Sequence, residues 1–391
     1  MRLSFWLGFV LSVCFVDVVS SSPQPNVLSD GKQHGLYIWI YLKDGTDLGL
    51  VMRQMAKLQS YVDQVCPTST CHQTDRDQYD DQVLAGVGFG YDCYTQAVAN
   101  NRLQNYTLQT RQGFSGSMPN SGGDIFIHAK SNSLSKLFEL TQLIQKNLPA
   151  EALADFTDTY GFVYKEGRDL SGFIDGTENP SHSDRFAIAV DPETNGSYCL
   201  TQTWVHHMDF IATQPASTLE SFVGRKMADS AELQNKSASS HVARMTSGPS
   251  FKAKKPVEIY RQSMPYGTVG KDAGLFFIAF ASSTNNFDYM LSRMTGKTEE
   301  DSDDIMRLSR CVSGNYWYFP SIQELDRLQN SVPGAGALFR PNRPRLSPTL
   351  VMSPKKSEPR ASPESGSGST VSTECISQVL MICLGLLALF Q

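Results

Sequence analysis

The chain has no basic surplus: 34 lysines and arginines stand against 39 acids in 391 residues, a net charge of -5. A nucleic-acid binder needs a concentrated basic face, and the short runs at residues 252–255 and 340–345 read as solvated charge. Long apolar runs are also missing. The run from Leu3 to Val16 is shorter than the ~20 residues of a membrane span and is followed by Asp17. Residues 376–390 are almost wholly apolar, but at ~1.5 Å per residue they reach only ~22 Å, short of a ~30 Å hydrocarbon core. Cysteine is sparse between the two ends: Cys66, Cys71, Cys93, Cys199 and Cys311 remain once Cys14, Cys375 and Cys383 are set aside. An odd count leaves at least one thiol free or paired between chains. Cys66 and Cys71 close a small loop and can bridge. No second Cys or His pair accompanies them, so their spacing is not that of a zinc knuckle.

The ends themselves are informative. Arg2, the apolar run and Val18-Val19-Ser20 have the layout of an export signal cleaved before Ser21. Between Pro333 and Thr373 the composition collapses into Pro, Ser, Gly, Lys and Arg, too little apolar surface to fold. The small residues Ser365 to Ser369, a spacer and the apolar end form the pattern of a glycosylphosphatidylinositol signal, with a short membrane anchor as the alternative. Either way the folded part is expected outside the cell, at the cell surface. Glycosylation acceptors at Asn105, Asn195 and Asn235 are consistent with export. The expected division is a signal at 1–20, folded halves at 21–165 and 166–332, a stalk at 333–373 and the tail at 374–391.

What is present is a doubled pattern. Residues 36–42 are β-branched and aromatic, hence strand-like. Asp47 then caps a helix whose apolar residues Leu48, Val51, Met52, Met55, Leu58, Val62 and Val65 recur at three- and four-residue steps. Strands at 83–89 and 124–129, a helix from Ser133 carrying Leu137, Phe138 and Ile144, and a strand at 160–164 complete β-α-β-β-α-β. This is the ferredoxin-like arrangement of split βαβ units. A less regular second copy places strands at 197–205, 257–261, 275–281 and 316–319, with helices near 219–226 and 286–294. The fold class is α+β: two ferredoxin-like domains with antiparallel sheets, of the dimeric α+β barrel type.

Three stretches stand out for chemistry. Gly172-Phe173-Ile174-Asp175-Gly176-Thr177-Glu178-Asn179-Pro180 sets an acid between glycines that let the backbone approach a ligand. Taken alone it is also an ordinary Asp-Gly turn. Ser240-His241-Val242 offers an imidazole, and Arg261-Gln262-Ser263-Met264-Pro265-Tyr266-Gly267 an arginine ahead of an apolar strand. Singly, each has a structural explanation.

Together, in this order and at this spacing, the three resemble the dye-decolourising peroxidases, over residues 35–321. The resemblance implies haem b as cofactor, hydrogen peroxide and an organic electron donor as partners, and oxidation by one-electron steps. It implies His241 as axial ligand to the iron, with Asp175 and Arg261 on the opposite side beside Gly176. A carboxylate behind the imidazole makes it more electron-donating, and Asp304 is the candidate, flanked by Asp301 and Asp303. Ser263 is expected to hold a water on the open side and Phe277 to form an apolar wall. Trp204, Trp317 and Tyr318 are candidate surface relays to bulky donors. His206 and His207, adjacent on a strand, point to opposite faces and cannot chelate one ion. A haem-binding or haem-transport surface protein without turnover is the alternative, and homo-oligomerisation stays open.

Overall fold

The computed structural model describes residues 21–67, 71, 80–98, 102–246, 257–298, 301–330, 336 and 338–342. The expected export signal, glycosylphosphatidylinositol signal and apolar tail lie outside the described residues. All described residues fall within one compact unit, Met1–Ser353.

Eight strands build the frame. In the first half these are β1 (His34–Leu42), β2 (Leu84–Phe89), β3 (Ile125–Ser131) and β4 (Leu153–Phe162). Those of the second half are β5 (Ser197–His206), β6 (Met264–Gly267), β7 (Ala273–Ala281) and β8 (Ser309–Phe319). The hydrogen-bonded order is β4-β1-β3-β2 in the first half and β8-β5-β7-β6 in the second, all antiparallel. Each is the order of a ferredoxin-like sheet. The two sheets are joined at both edges: Tyr318 pairs with Phe89, and Gly161 with Tyr266. The result is a closed barrel, which leaves neither sheet a free edge.

Strand alternation sorts the residues into two layers. Tyr37, Trp39 and Tyr41 of β1, Phe126 of β3, Phe276, Ile278 and Phe280 of β7, and Trp317 and Phe319 of β8 share one buried cluster across both halves. The Tyr37 and Phe276 rings stack with centroids 3.8 Å apart, and Phe126 stacks on Trp317 at 5.2 Å. The opposite residues, such as Leu36, Ile38 and Ile40, pack under helices. These include α1 (Leu48–Ala56), α2 (Leu58–Val65) and α3 (Leu134–Asn147). Asp47 caps α1 by accepting from the Gly49 N–H at 2.8 Å, as expected. The single helix anticipated over this region divides at Lys57, whose N–H turns to Gln54 and Met55 carbonyls.

In the second half, α4 (Ala216–Val223) ends on Gly224 with φ 92°. It is followed by α5 (His241–Thr246) and α6 (Thr284–Thr295). The stalk expected from Pro333 onward contributes to the folded part. Phe339 is fully buried in the core of the first half, and its N–H and carbonyl bond Thr46 and Gly45. Cys66 and Cys71 form a disulfide, and Cys93, Cys199 and Cys311 are buried and bridge no other cysteine among the described residues.

Candidate active site

The outward face of β5 and β7 forms the floor of a cavity of about 370 Å³, a volume in the range of ligand pockets. Leu200, Gln202, Trp204 and His206 line it from β5, and Leu275 and Phe277 from β7. The period of two is that of a strand face. Helices α5 and α6 and the 169–178 loop close it over. Every lining residue belongs to the second half.

His241 opens α5 and lines the cavity. Its Nδ1 donates to Asp303 Oδ2 at 2.7 Å, and Asp303 is fully buried. This corrects the expectation at Asp304. Asp303 caps the following 3-10 turn by accepting from the Ile305 N–H at 2.9 Å, which aims its other oxygen at His241. Asp304 accepts instead from Ser239 Oγ at 2.6 Å and Arg307 Nε at 2.8 Å, and it does not line the cavity. With Nδ1 engaged, Nε2 is the nitrogen left to act as a ligand.

Asp175, Gly176 and Arg261 also line the cavity. Gly172 and Gly176 take φ of 96° and 76°, values that favour glycine, and between them the loop turns Asp175 toward the cavity. Asp175 Oδ1 accepts from the Gly176 N–H at 2.6 Å and lies 3.9 Å from Arg261 Nη1. That distance is too long for a hydrogen bond, so the opposite charges attract without consuming each other. Asn179 sets their spacing: its Nδ2 donates to the Arg261 carbonyl at 2.8 Å and its Oδ1 accepts from the Arg261 N–H at 3.0 Å. Arg261 itself is fixed by pairing with Ala279 of β7.

Phe277 is in the apolar wall, as expected. Ser263 is not a lining residue: its hydroxyl accepts from the Ile278 N–H at 3.3 Å. Trp204, Trp317 and Tyr318 are all buried, which removes them as surface relays. Trp204 lines the cavity and donates to Gln202 Oε1 at 3.2 Å, while Trp317 lies within the barrel.

Sequence reasoning missed two further lining residues, Asp169 and His206. His206 Nε2 lies 3.0 and 2.9 Å from the two Asp169 oxygens, and Nδ1 meets Ser309 Oγ at 2.9 Å. Burial opposes ionisation of Asp169, but bonds from His206 and Ser171 outweigh it and hold the carboxyl below its ordinary value. The strand face shared by Gln202, Trp204 and His206 was the available signal. His207 is exposed on the other face, so the two histidines do not converge.

A sequence model described as Dyp-type peroxidase, C-terminal, matches residues 166–324. The dye-decolorizing peroxidase of Rhodococcus erythropolis is 30% identical over 254 residues, covering 62% of this chain and 74% of that protein. That of Mycobacterium tuberculosis is 30% identical over 256 residues, 61% and 74% of the two chains. Among solved structures, the dye-decolorizing protein from Vibrio cholerae superposes with a TM-score of 0.68 at 27% identity, covering 78% of this chain and 99% of that one. A variant of DypB from Rhodococcus jostii in complex with haem gives 0.69 at 25%, covering 79% and 98%. The chain belongs to the dye-decolorizing peroxidase family and is a haem-dependent peroxidase, an oxidoreductase that uses peroxide.

The residues fit the cofactor of that family. The cavity pairs an imidazole held from behind with an acid and a guanidinium, between walls of Leu, Met and Phe side chains. The amide nitrogen of Gln202, a buried lining residue, has no hydrogen-bond partner among the described residues, a donor for a polar edge of the bound group.

Proposed function

We propose that His241 Nε2 would hold the iron of a bound haem, that Asp303 orients His241 and raises its basicity, and that Asp175 and Arg261 would handle peroxide. The observation that carries this reading is that three side chains far apart in sequence line one cavity, with the Nδ1 of His241 already engaged. Bound haem would supply the iron and the two electrons that reduce peroxide, which donors would then return one at a time.

Reduction of hydrogen peroxide to two waters takes two protons and two electrons. Asp175 takes the proton from the oxygen that is held and returns it to the oxygen that leaves as water. A positioned group of this kind contributes ~10²–10⁴ in rate. Arg261 brings a guanidinium that offsets the negative charge that develops as the O–O bond breaks. Asn179 keeps the two at a fixed spacing. Electron-rich aromatic donors such as dyes and phenols are the donor class this reading favours.

The test is to purify the protein and follow the haem absorption band and peroxide consumption. His241→Ala is expected to lose the ligation signature. Asp175→Asn and Arg261→Leu are expected to keep the haem and slow the peroxide reaction by ~10²–10⁴. Parent-like peroxide rates in both distal variants overturn the reading. We also propose an extracellular, lipid-tethered location on the composition of the two chain ends; retention on cells after phosphatidylinositol-specific phospholipase treatment speaks against it.

A further inference from the structure

The segment carrying Asp175 has no helix or strand of its own to hold it. From Tyr164 to Asn179 it is a run of turns: Gly172 N–H bonds the Asp169 carbonyl at 2.9 Å, Asp169 N–H the Phe173 carbonyl at 2.8 Å, and Asp175 N–H the Gly167 carbonyl at 3.1 Å. A run of turns alone tolerates small displacements, and displacement of an acid by an ångström is costly in catalysis. Two side chains tie this run to the barrel: Asn179 at its end, through Arg261, and Asp169 from inside the cavity. The Asp169 carboxylate accepts from the Ser171 N–H at 2.9 Å and from the Ser171 hydroxyl, which fixes the turn, and from His206 Nε2, the last residue of β5. His206 is held in turn by Ser309 of β8, whose hydroxyl also reaches the Val205 carbonyl at 3.2 Å. The side chains of His206 and Asp169 are 6% and 12% exposed, too enclosed to be a surface ion pair of little consequence. Their partners are one another, Ser171 and Ser309, and neither hydrogen-bonds Asp175 or His241.

We propose that His206 is a positioning residue that acts through Asp169, a tether that anchors the 167–176 loop to β5 and β8 and thereby holds Asp175 at its working position. The inference rests on the role proposed for Asp175, and the test separates the two. His206→Leu removes the donor, His206→Gln keeps one, and Asp169→Asn breaks the pair from the other side with almost no change of shape.

The first readout is amide exchange, which needs no turnover. In haem-loaded protein, His206→Leu is expected to speed exchange at Gly172 and Asp175 by about tenfold to a hundredfold, the loss of one hydrogen bond to a charged group. Exchange in α5 is expected to stay at the parent rate, and His206→Gln to restore protection. The second is the peroxide rate. His206→Leu is expected to lower it about tenfold with the haem band unchanged, and to lower it no further in an Asp175→Asn background, because the tether works only through that acid. Unchanged exchange at Gly172 and Asp175, or a full additional loss in the Asp175→Asn background, overturns the tether. A parent-like rate for Asp175→Asn alone overturns the distal acid instead, and exchange then still decides the tether. Should His206→Leu not hold haem, Asp169→Asn gives the same two readings.

Discussion

The sharpest test of the site is the choice between two adjacent acids. Asp303 uses both carboxylate oxygens: Oδ2 takes the His241 Nδ1 proton at 2.7 Å and Oδ1 the Ile305 N–H at 2.9 Å. Asp303→Asn has one oxygen where two are needed, so an NH2 group is forced to face either an imidazole N–H or a backbone N–H. Asp303 is fully buried, so water offers its side chain no substitute. Loss of a hydrogen bond to a charged partner costs about 1.5–3 kcal/mol, and substitutions behind a metal-binding histidine weaken metal binding about 10–100-fold. The two figures agree, since tenfold corresponds to about 1.4 kcal/mol. We therefore expect Asp303→Asn to release haem about 10–100 times faster, measured as transfer to an excess of a haem-scavenging apoprotein, and to react more slowly with peroxide. Asp304→Asn, whose partners are Ser239 and Arg307, is expected to stay within about twofold of the parent. A larger effect at Asp304 than at Asp303 would refute the reasoning.

Two predictions concern the frame. Burial lowers the Lys130 amine from 10.5 to about 7, while its Nζ donates to the Ser29 carbonyl and to Gln262. Below about pH 7 both folded and unfolded chains carry the proton and the cost is fully present. Between about 7 and 10.5 only the unfolded chain carries it, so stability rises with pH by something on the order of 4 kcal/mol. Urea titrations across pH 6–9 are expected to show the first ~3 kcal/mol of that rise in the parent and a flatter profile in Lys130→Met; equal slopes count against it. Phe339→Ala removes a fully buried ring and is expected to lower stability by about 3–5 kcal/mol. A denaturation midpoint that does not move would mean that the segment is merely laid against the core.

Local periodicity made much of this fold legible, and its failures share a physical cause. β1, β2 and β3 are dense in buried apolar residues and were readable as such. The last strand of each half was cut short. β4 was anticipated only at 160–164 and starts at Leu153, because Asp155, Thr157 and Asp158 mark a half-exposed strand that apolar density does not detect. β8 was anticipated from Tyr316 and starts at Ser309, because its buried hydroxyls are satisfied across the sheet, as in the 2.8 Å bond from Ser313 to Thr203. At the site, the three motifs marked His241, Asp175 and Arg261, all of which line the cavity. The choice of Asp303 over Asp304 depends on which acid caps a turn, and the His206–Asp169 pair on a contact 37 residues apart in sequence. Neither leaves a local pattern to read.

A pocket whose walls all come from one half would ordinarily be portable. Closure of the barrel makes it otherwise, because the strands that carry the cavity floor turn Phe276, Ile278 and Phe280 toward Tyr37, Trp39 and Phe126 of the other sheet. Grafting residues 166–324 alone onto a new scaffold would strip that aromatic layer of half its partners. Any chimera between relatives must therefore exchange both sheets together, or match the rings on the two sides residue by residue.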